Sequence, residues 1–204
     1  MNIVFITRCF KPTNLEAIKS RLKEVFHHTS HTYRHFIVVD MTRAESPALF
    51  ADFCDPNTTV VFSNEKPPAD EYNTKAIDEV LATFNPPNPL DYWVYILDDD
   101  NTISSDFLRV CDYCEHNAGA DALVFQIASR PELGQEFIRP GEAIGKIDWA
   151  NFLTRLDVMK WLKIFTGTDS QTADGQFFNR MLEKGLCILY TNEKLCFYNA
   201  MPKP

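Results

Sequence analysis

The sequence predicts an α/β domain around a mostly parallel sheet, and three observations carry that reading. Short, nearly unbroken apolar runs alternate with amphipathic stretches of helical period, as in strands buried on both faces with helices packed over them. With 204 residues, 45% apolar and 24% charged, the chain fills one sizeable core, and two would be crowded. Acidic residues gather where two of the runs end, and open α/β sheets bind ligands outside the carboxyl ends of their strands.

The elements follow in order. NIVFIT (2–7) is a strand, and 13–26 aligns Leu15, Ile18, Leu22, Val25 and Phe26 in one helical stripe with Thr13 or Asn14 as cap. Strands follow at 35–40, ending on Asp40, and at 58–63. A helix over 70–84 turns Ile77, Val80, Leu81 and Phe84 inward, and the prolines of NPPNPLD (85–91) forbid any continuation. Strand YWVYIL (92–97) then delivers Asp98, Asp99 and Asp100, before a helix near 104–117 and a strand at 121–127. Residues 128–146 have no period and carry Pro131, Gly134, Pro140, Gly141 and Gly145, the mark of a functional irregular segment. A short strand (150–155), helices near 157–164 and from Thr172, and two strand-like pieces at 186–191 and 194–199 complete the chain.

Composition excludes several functions. The formal net charge is -8 with scattered Lys and Arg, so no basic footprint exists for nucleic acid. No segment approaches the roughly 20 apolar residues of a membrane span, and Arg8 interrupts an opening run too short for a signal peptide. A cytoplasmic protein with reduced cysteines is expected. Cys111 and Cys114 form a C-x-x-C without a matching second pair, and their helical spacing beside Val110 makes them core residues. His27, His31 and His35 are spaced by four, but Thr29, Ser30 and Thr32 between them favour a solvated connection over a metal-binding helix.

Three like charges ending a buried strand are costly unless a positive charge sits with them. Carboxylates with Asn101 are hard oxygen donors, which suits Mg²⁺ or Mn²⁺ rather than zinc. The alternative, that one Asp caps a helix near Ser104 and the rest are solvated, explains one carboxylate and not three.

ILDDDN (96–101) resembles the D-x-D motif of GT-A fold glycosyltransferases, and ADGQFFNRMLEKG (173–185) resembles the acidic helix start, Arg and Gly of their family-2-like inverting members, here Asp174, Arg180 and Gly185. Ala173 stands where that pattern usually has Glu, and no late His supplies a third metal ligand. The resemblance implies a single Rossmann-like GT-A domain over 1–204, with a nucleotide-binding half (1–101) and an acceptor-binding half (102–204). It further implies transfer from a nucleotide sugar, expected to be a UDP-sugar, to a saccharide or other hydroxyl acceptor. Asp100 and Asp98 would hold Mn²⁺ or Mg²⁺. Arg8, Lys11, Asp40, Lys75, Asp98 and Asp99 would contact the donor. Asp174 would be the general base, with Asp148 and Trp149 at the acceptor. Trp149 packing in the core, Asp174 merely capping its helix, and Lys11 and Lys75 as solvated surface charges are the plainer alternatives. At a helix N-terminus Asp174 is expected to stay ionised.

Two other readings compete. DDDNT (98–102) also fits the D-x-D-x-T pattern of haloacid-dehalogenase-like phosphatases, with Asp98 as nucleophile, Asp100 as acid/base, and Ser129, Asp169 and Asp174 imitating later motifs. That family opens its fold with the motif strand, whereas here three strands precede it. A degenerate GT-A domain that binds nucleotides without turnover is the third.

Overall fold

A computed structural model describes residues 1–64, 73–134, 138–166, 172–198 and 200. The apolar runs become strands β1 (Asn2–Cys9), β2 (Thr32–Asp40), β3 (Thr58–Ser63), β4 (Tyr92–Ile96), β5 (Thr102–Ile103), β6 (Ala122–Ile127), β7 (Phe152–Arg155) and β8 (Ile188–Phe197). Helices α1 (Leu15–Phe26), α2 (Thr74–Thr83), α3 (Arg109–His116), α4 (Leu156–Leu162) and α5 (Ala173–Glu183) pack on both faces. The strands form one sheet in the order β3-β2-β1-β4-β7-β6-β8-β5.

Alternation along β1 shows how the layers divide. Ile3 and Phe5 face a core shared with α1 and α3, where Ile18, Leu22, Val110 and Cys111 pack. Val4 and Ile6 face the opposite core, filled by Ile77 and Val80 of α2, Met159 of α4 and Phe177 and Met181 of α5. Both faces are therefore apolar, as the unbroken run required.

Pairing is parallel for β1 with β2 and β4, for β2 with β3, and for β6 with β8. It is antiparallel for β4 with β7, β6 with β7, and β5 with β8. The sheet is thus mixed, because β7 enters between β4 and β6 in the reverse sense. Its reversal carries the chain before it, Asp148 included, to the carboxyl end of β4.

Three expectations change. The two pieces at 186–191 and 194–199 are one strand, β8, bent by register shifts against β6. β5 was not foreseen, being two residues long. The histidines are not one solvated connection: His27 is exposed, whereas His35 is 1% exposed within β2 and its Nε2 lies 2.9 Å from Thr7 Oγ1. Cys111 and Cys114 are buried as expected. Among the described residues no helix is long and apolar enough to cross a membrane. The expected start of the 70–84 helix, and Asp169, lie outside the described residues.

Candidate active site

β4 stops at Ile96, and the Leu97 N–H still donates to Ile6 O at 2.9 Å, so the chain leaves the sheet at its carboxyl edge. A turn closes at once, with the Asn101 N–H on Asp98 O at 3.0 Å. The positive charge that the aspartates require is Arg8, delivered by the neighbouring strand β1. Its Nε and Nη2 donate to Asp98 Oδ1 and Oδ2 at 2.7 and 2.6 Å. That is the bidentate geometry in which guanidinium and carboxylate bind most strongly. Asn14, at the cap position of α1, does not cap: its Nδ2 donates to Asp99 O at 2.8 Å and ties the turn to α1.

The second half of the chain supplies further acidic groups that act on Arg8. Asp148 opens the turn Trp149–Asn151, where its Oδ1 accepts from the Ala150 N–H at 2.9 Å and Asn151 Oδ1 accepts from the Asp148 N–H at 3.1 Å. Asp148 Oδ2 faces Arg130 Nη1 at 3.7 Å, and the Arg130 guanidinium lies 5.0 Å from the centre of the Tyr198 ring. Asp174 is half-buried in the first turn of α5. Thr172, not Asp174, holds the cap position, and Asp174 Oδ1 accepts from the Gly175 N–H at 2.6 Å.

Electrostatics ties these groups into one field. Burial works against the charge of Arg8, but Asp98, and behind it Asp148 and Asp174, hold its pKa above the ordinary arginine value. Burial pushes Asp174 up to about 7 against the Gly175 N–H, with Asp148 and Asp98 adding to the rise and Arg8 opposing it. Asp99 also rises to about 7, through burial and then its neighbours Asp98 and Asp100. Asp148 is raised as well, chiefly by burial and against its Ala150 hydrogen bond. The helix terminus was expected to keep Asp174 ionised; desolvation and like charge outweigh it.

The donor set bears on a divalent metal. Among the described residues no group of three or more His, Cys, Asp or Glu side chains is placed to hold a metal ion. Mg²⁺ seldom uses such a group, taking one or two carboxylates and completing its shell with phosphates and water. The turn fits that mode. Asp99 Oδ2 is buried with no hydrogen-bond partner, and the excess of carboxylates lowers in energy with any added cation. Asp98 fits it poorly, because both its oxygens are on Arg8. The same pairing makes Asp98 less free to act as the nucleophile that the phosphatase reading needs.

The remaining predicted residues divide. Asp40, 7% exposed at the end of β2, accepts from the Thr42 N–H and hydroxyl at 3.0 and 2.6 Å, forming the turn that starts the next loop. Lys11 is exposed beside the Phe10 ring. Lys75 faces the groove between α2 and α4 with Asp78, Lys160 and Lys163, and lies 3.7 Å from Glu79. Trp149 is 5% exposed and packs between Phe152 and Phe177, so it is core and not a platform. Ala173 also points into that core, where a Glu would be buried among apolar groups. Arg180 bonds Lys163 O at 2.6 Å and links α5 to α4. Arg130, Tyr198 and Asn14 were missed. Only the aperiodic character of 128–146 signalled the first, and nothing local signals the others.

No family model and no curated protein matches the sequence. Solved structures do match. A mannosyltransferase from Pyrobaculum calidifontis, solved with GDP-Man and Mn²⁺, aligns at TM-score 0.70 and 13% identity over 99% of this chain and 57% of its own. S. aureus TarS 1–349 aligns at 0.63 and 12% over 97% and 60%, and has also been solved with UDP-GlcNAc. A 4-diphosphocytidyl-2C-methyl-D-erythritol synthase from Anaerococcus prevotii aligns at 0.53 and 11% over 94% and 87%. The chain therefore has the fold of GT-A glycosyltransferases, as the two motifs led one to expect. It spans about three-fifths of the length of the first two structures.

Proposed function

We propose that this chain is a metal-assisted, inverting glycosyltransferase that moves a sugar from a nucleotide sugar, a UDP-sugar by preference, to an acceptor hydroxyl. The observation that carries the reading is the convergence of Arg8, Asp98, Asp148 and Asp174, from four separate parts of the chain, into one electrostatic field at the carboxyl edge of the sheet. The GT-A fold supports it, as do the nucleotide sugars held by two of the matching structures. Residues 1–101 serve the donor and 102–204 the acceptor.

Asp40 meets the nucleoside, and Asp99 and Asp100 are the oxygen donors for Mn²⁺ or Mg²⁺. A bound divalent cation supplies Lewis-acid stabilisation to the departing diphosphate. Arg8, already fixed by Asp98, adds a second positive charge on the same side. Asp174 takes the proton of the acceptor hydroxyl as its oxygen bonds the anomeric carbon and the carbon–oxygen bond to the diphosphate breaks. A pKa near 7 suits that role. In-line attack inverts the anomeric configuration.

The test is a panel of nucleotide sugars with Mn²⁺, followed by release of nucleoside diphosphate. Release that depends on metal supports the reading. Binding without release makes the chain a degenerate nucleotide-binding domain, and pyrophosphate release from a nucleoside triphosphate makes it a nucleotidyltransferase. Failure to bind any of them ends the proposal.

A further inference from the structure

The backbone at 141–143 is hydrogen-bonded to α5 through one side chain. Asn179, buried at 9% exposure, accepts with a single oxygen, Oδ1, from the Gly141 N–H at 2.9 Å and from the Ala143 N–H at 3.1 Å. Gly175 lies one helical turn earlier on the same face of α5. A Cβ there would come within 2.6 Å of Ile144 Cα, so the loop backbone rests directly on the helix. The loop then closes on itself, with Lys146 and Ile147 N–H both on Ala143 O at 2.9 and 3.1 Å, and runs straight into Asp148.

The two acceptor-side carboxylates are therefore joined by this contact. Asp148 follows the clamped loop, and Asp174 precedes the glycine on which the loop rests. We infer that Asn179 is a positioning residue, whose grip on the 141–143 backbone sets the gap between Asp148 and Asp174 and so the place of the acceptor hydroxyl. The inference rests on the transferase reading and adds to it a residue that touches neither substrate. Alanine at 179 leaves two buried or half-buried backbone donors without their acceptor, which frees the loop to shift. A displacement near 1 Å at a reacting group lowers turnover by up to about a hundredfold.

The experiment compares wild type, Asn179→Ala and Asn179→Asp, because aspartate keeps the shape and the accepting oxygen. Amide exchange at Gly141 and Ala143, calorimetric affinity for UDP with Mn²⁺, and turnover at saturating donor are measured on each. Asn179→Ala should speed exchange at both amides and lower turnover at least about tenfold, with UDP affinity within about twofold. Asn179→Asp should restore protection and most of the turnover. Turnover unchanged in the alanine variant overturns the inference, as does a loss of UDP affinity that aspartate does not repair. An inactive wild type that still binds UDP ends the transferase reading and this inference with it. An active wild type with an indifferent alanine variant ends the inference alone.

Discussion

Asp174 concentrates the chemistry in one group. Asn in its place keeps the volume and a side-chain oxygen that can accept from the Gly175 N–H, so the helix should be little affected. Asp174→Asn should lower turnover about a hundredfold with donor affinity unchanged, read from single-turnover rates and calorimetry. In wild type the base works only when deprotonated. Turnover should therefore fall as pH drops through about 7, the value to which burial and its acidic neighbours raise the group. A profile flat from pH 5 to 8 would contradict the assignment. Asp98, Asp99 and Asp100 were legible in the sequence because a run of carboxylates ending a strand has few bland explanations, and Asp174 only through the family resemblance. Their partners were not. Arg8 was read as a donor contact and not as the counter-ion of Asp98, 90 positions away. Asn14 resembled a helix cap until its amide was seen on Asp99.

Elements join the site through pairs that the strands bring together. The Arg8–Asp98 pair ties β1 to the turn after β4, with both side chains mostly buried. Removing one partner strands the other charge, so Arg8→Met should cost about 3 kcal/mol in urea melts. Adding Asp98→Asn to it should recover most of that loss, giving a strong coupling in the double-mutant cycle. Strand β2 holds a different liability. Burial, assisted by Lys19, lowers the His35 pKa to about 3, so His35 is neutral when folded and protonated below 6.5 when unfolded. Stability is then intact above pH 6.5 and falls toward pH 3, by up to about 1.4 kcal/mol per pH unit from this group. The raised Asp99 and Asp174 act in the opposite sense between about 4 and 7, so the difference between wild type and His35→Gln isolates the effect. That difference should shrink on acidification, as measured by denaturant midpoints from pH 4 to 8. Most elements were legible because their apolar period matched their burial on both faces of the sheet. The sequence divides β8 in two because Asn192 and Glu193 break the apolar run, yet they lie inside one bent strand, at the register shift between the pairs Val124–Tyr190 and Gln126–Lys194. The reversed sense of β7 leaves no mark on its own four residues.

At the scale of the whole molecule, one sheet gathers groups that are remote in the chain. Arg8 meets Asp98 across 90 positions and Asn14 meets Asp99 across 85. The α/β class was legible from alternation, while the mixed order β4-β7-β6-β8 depends on long-range pairing that composition does not encode. Such separations have a kinetic meaning. Closing long loops costs chain entropy before any contact repays it, so pairings of this kind form late on the folding path. A site that depends on them is not yet assembled in the transition state for folding, and its ligand has nothing to hold there. UDP with Mn²⁺ should consequently slow unfolding in proportion to occupancy and leave the refolding limb of the chevron where it was. Stopped-flow mixing in urea, with and without the nucleotide, would read this directly. A refolding rate that climbs with ligand would mean that the site is assembled early, as a nucleus around which the rest of the chain condenses.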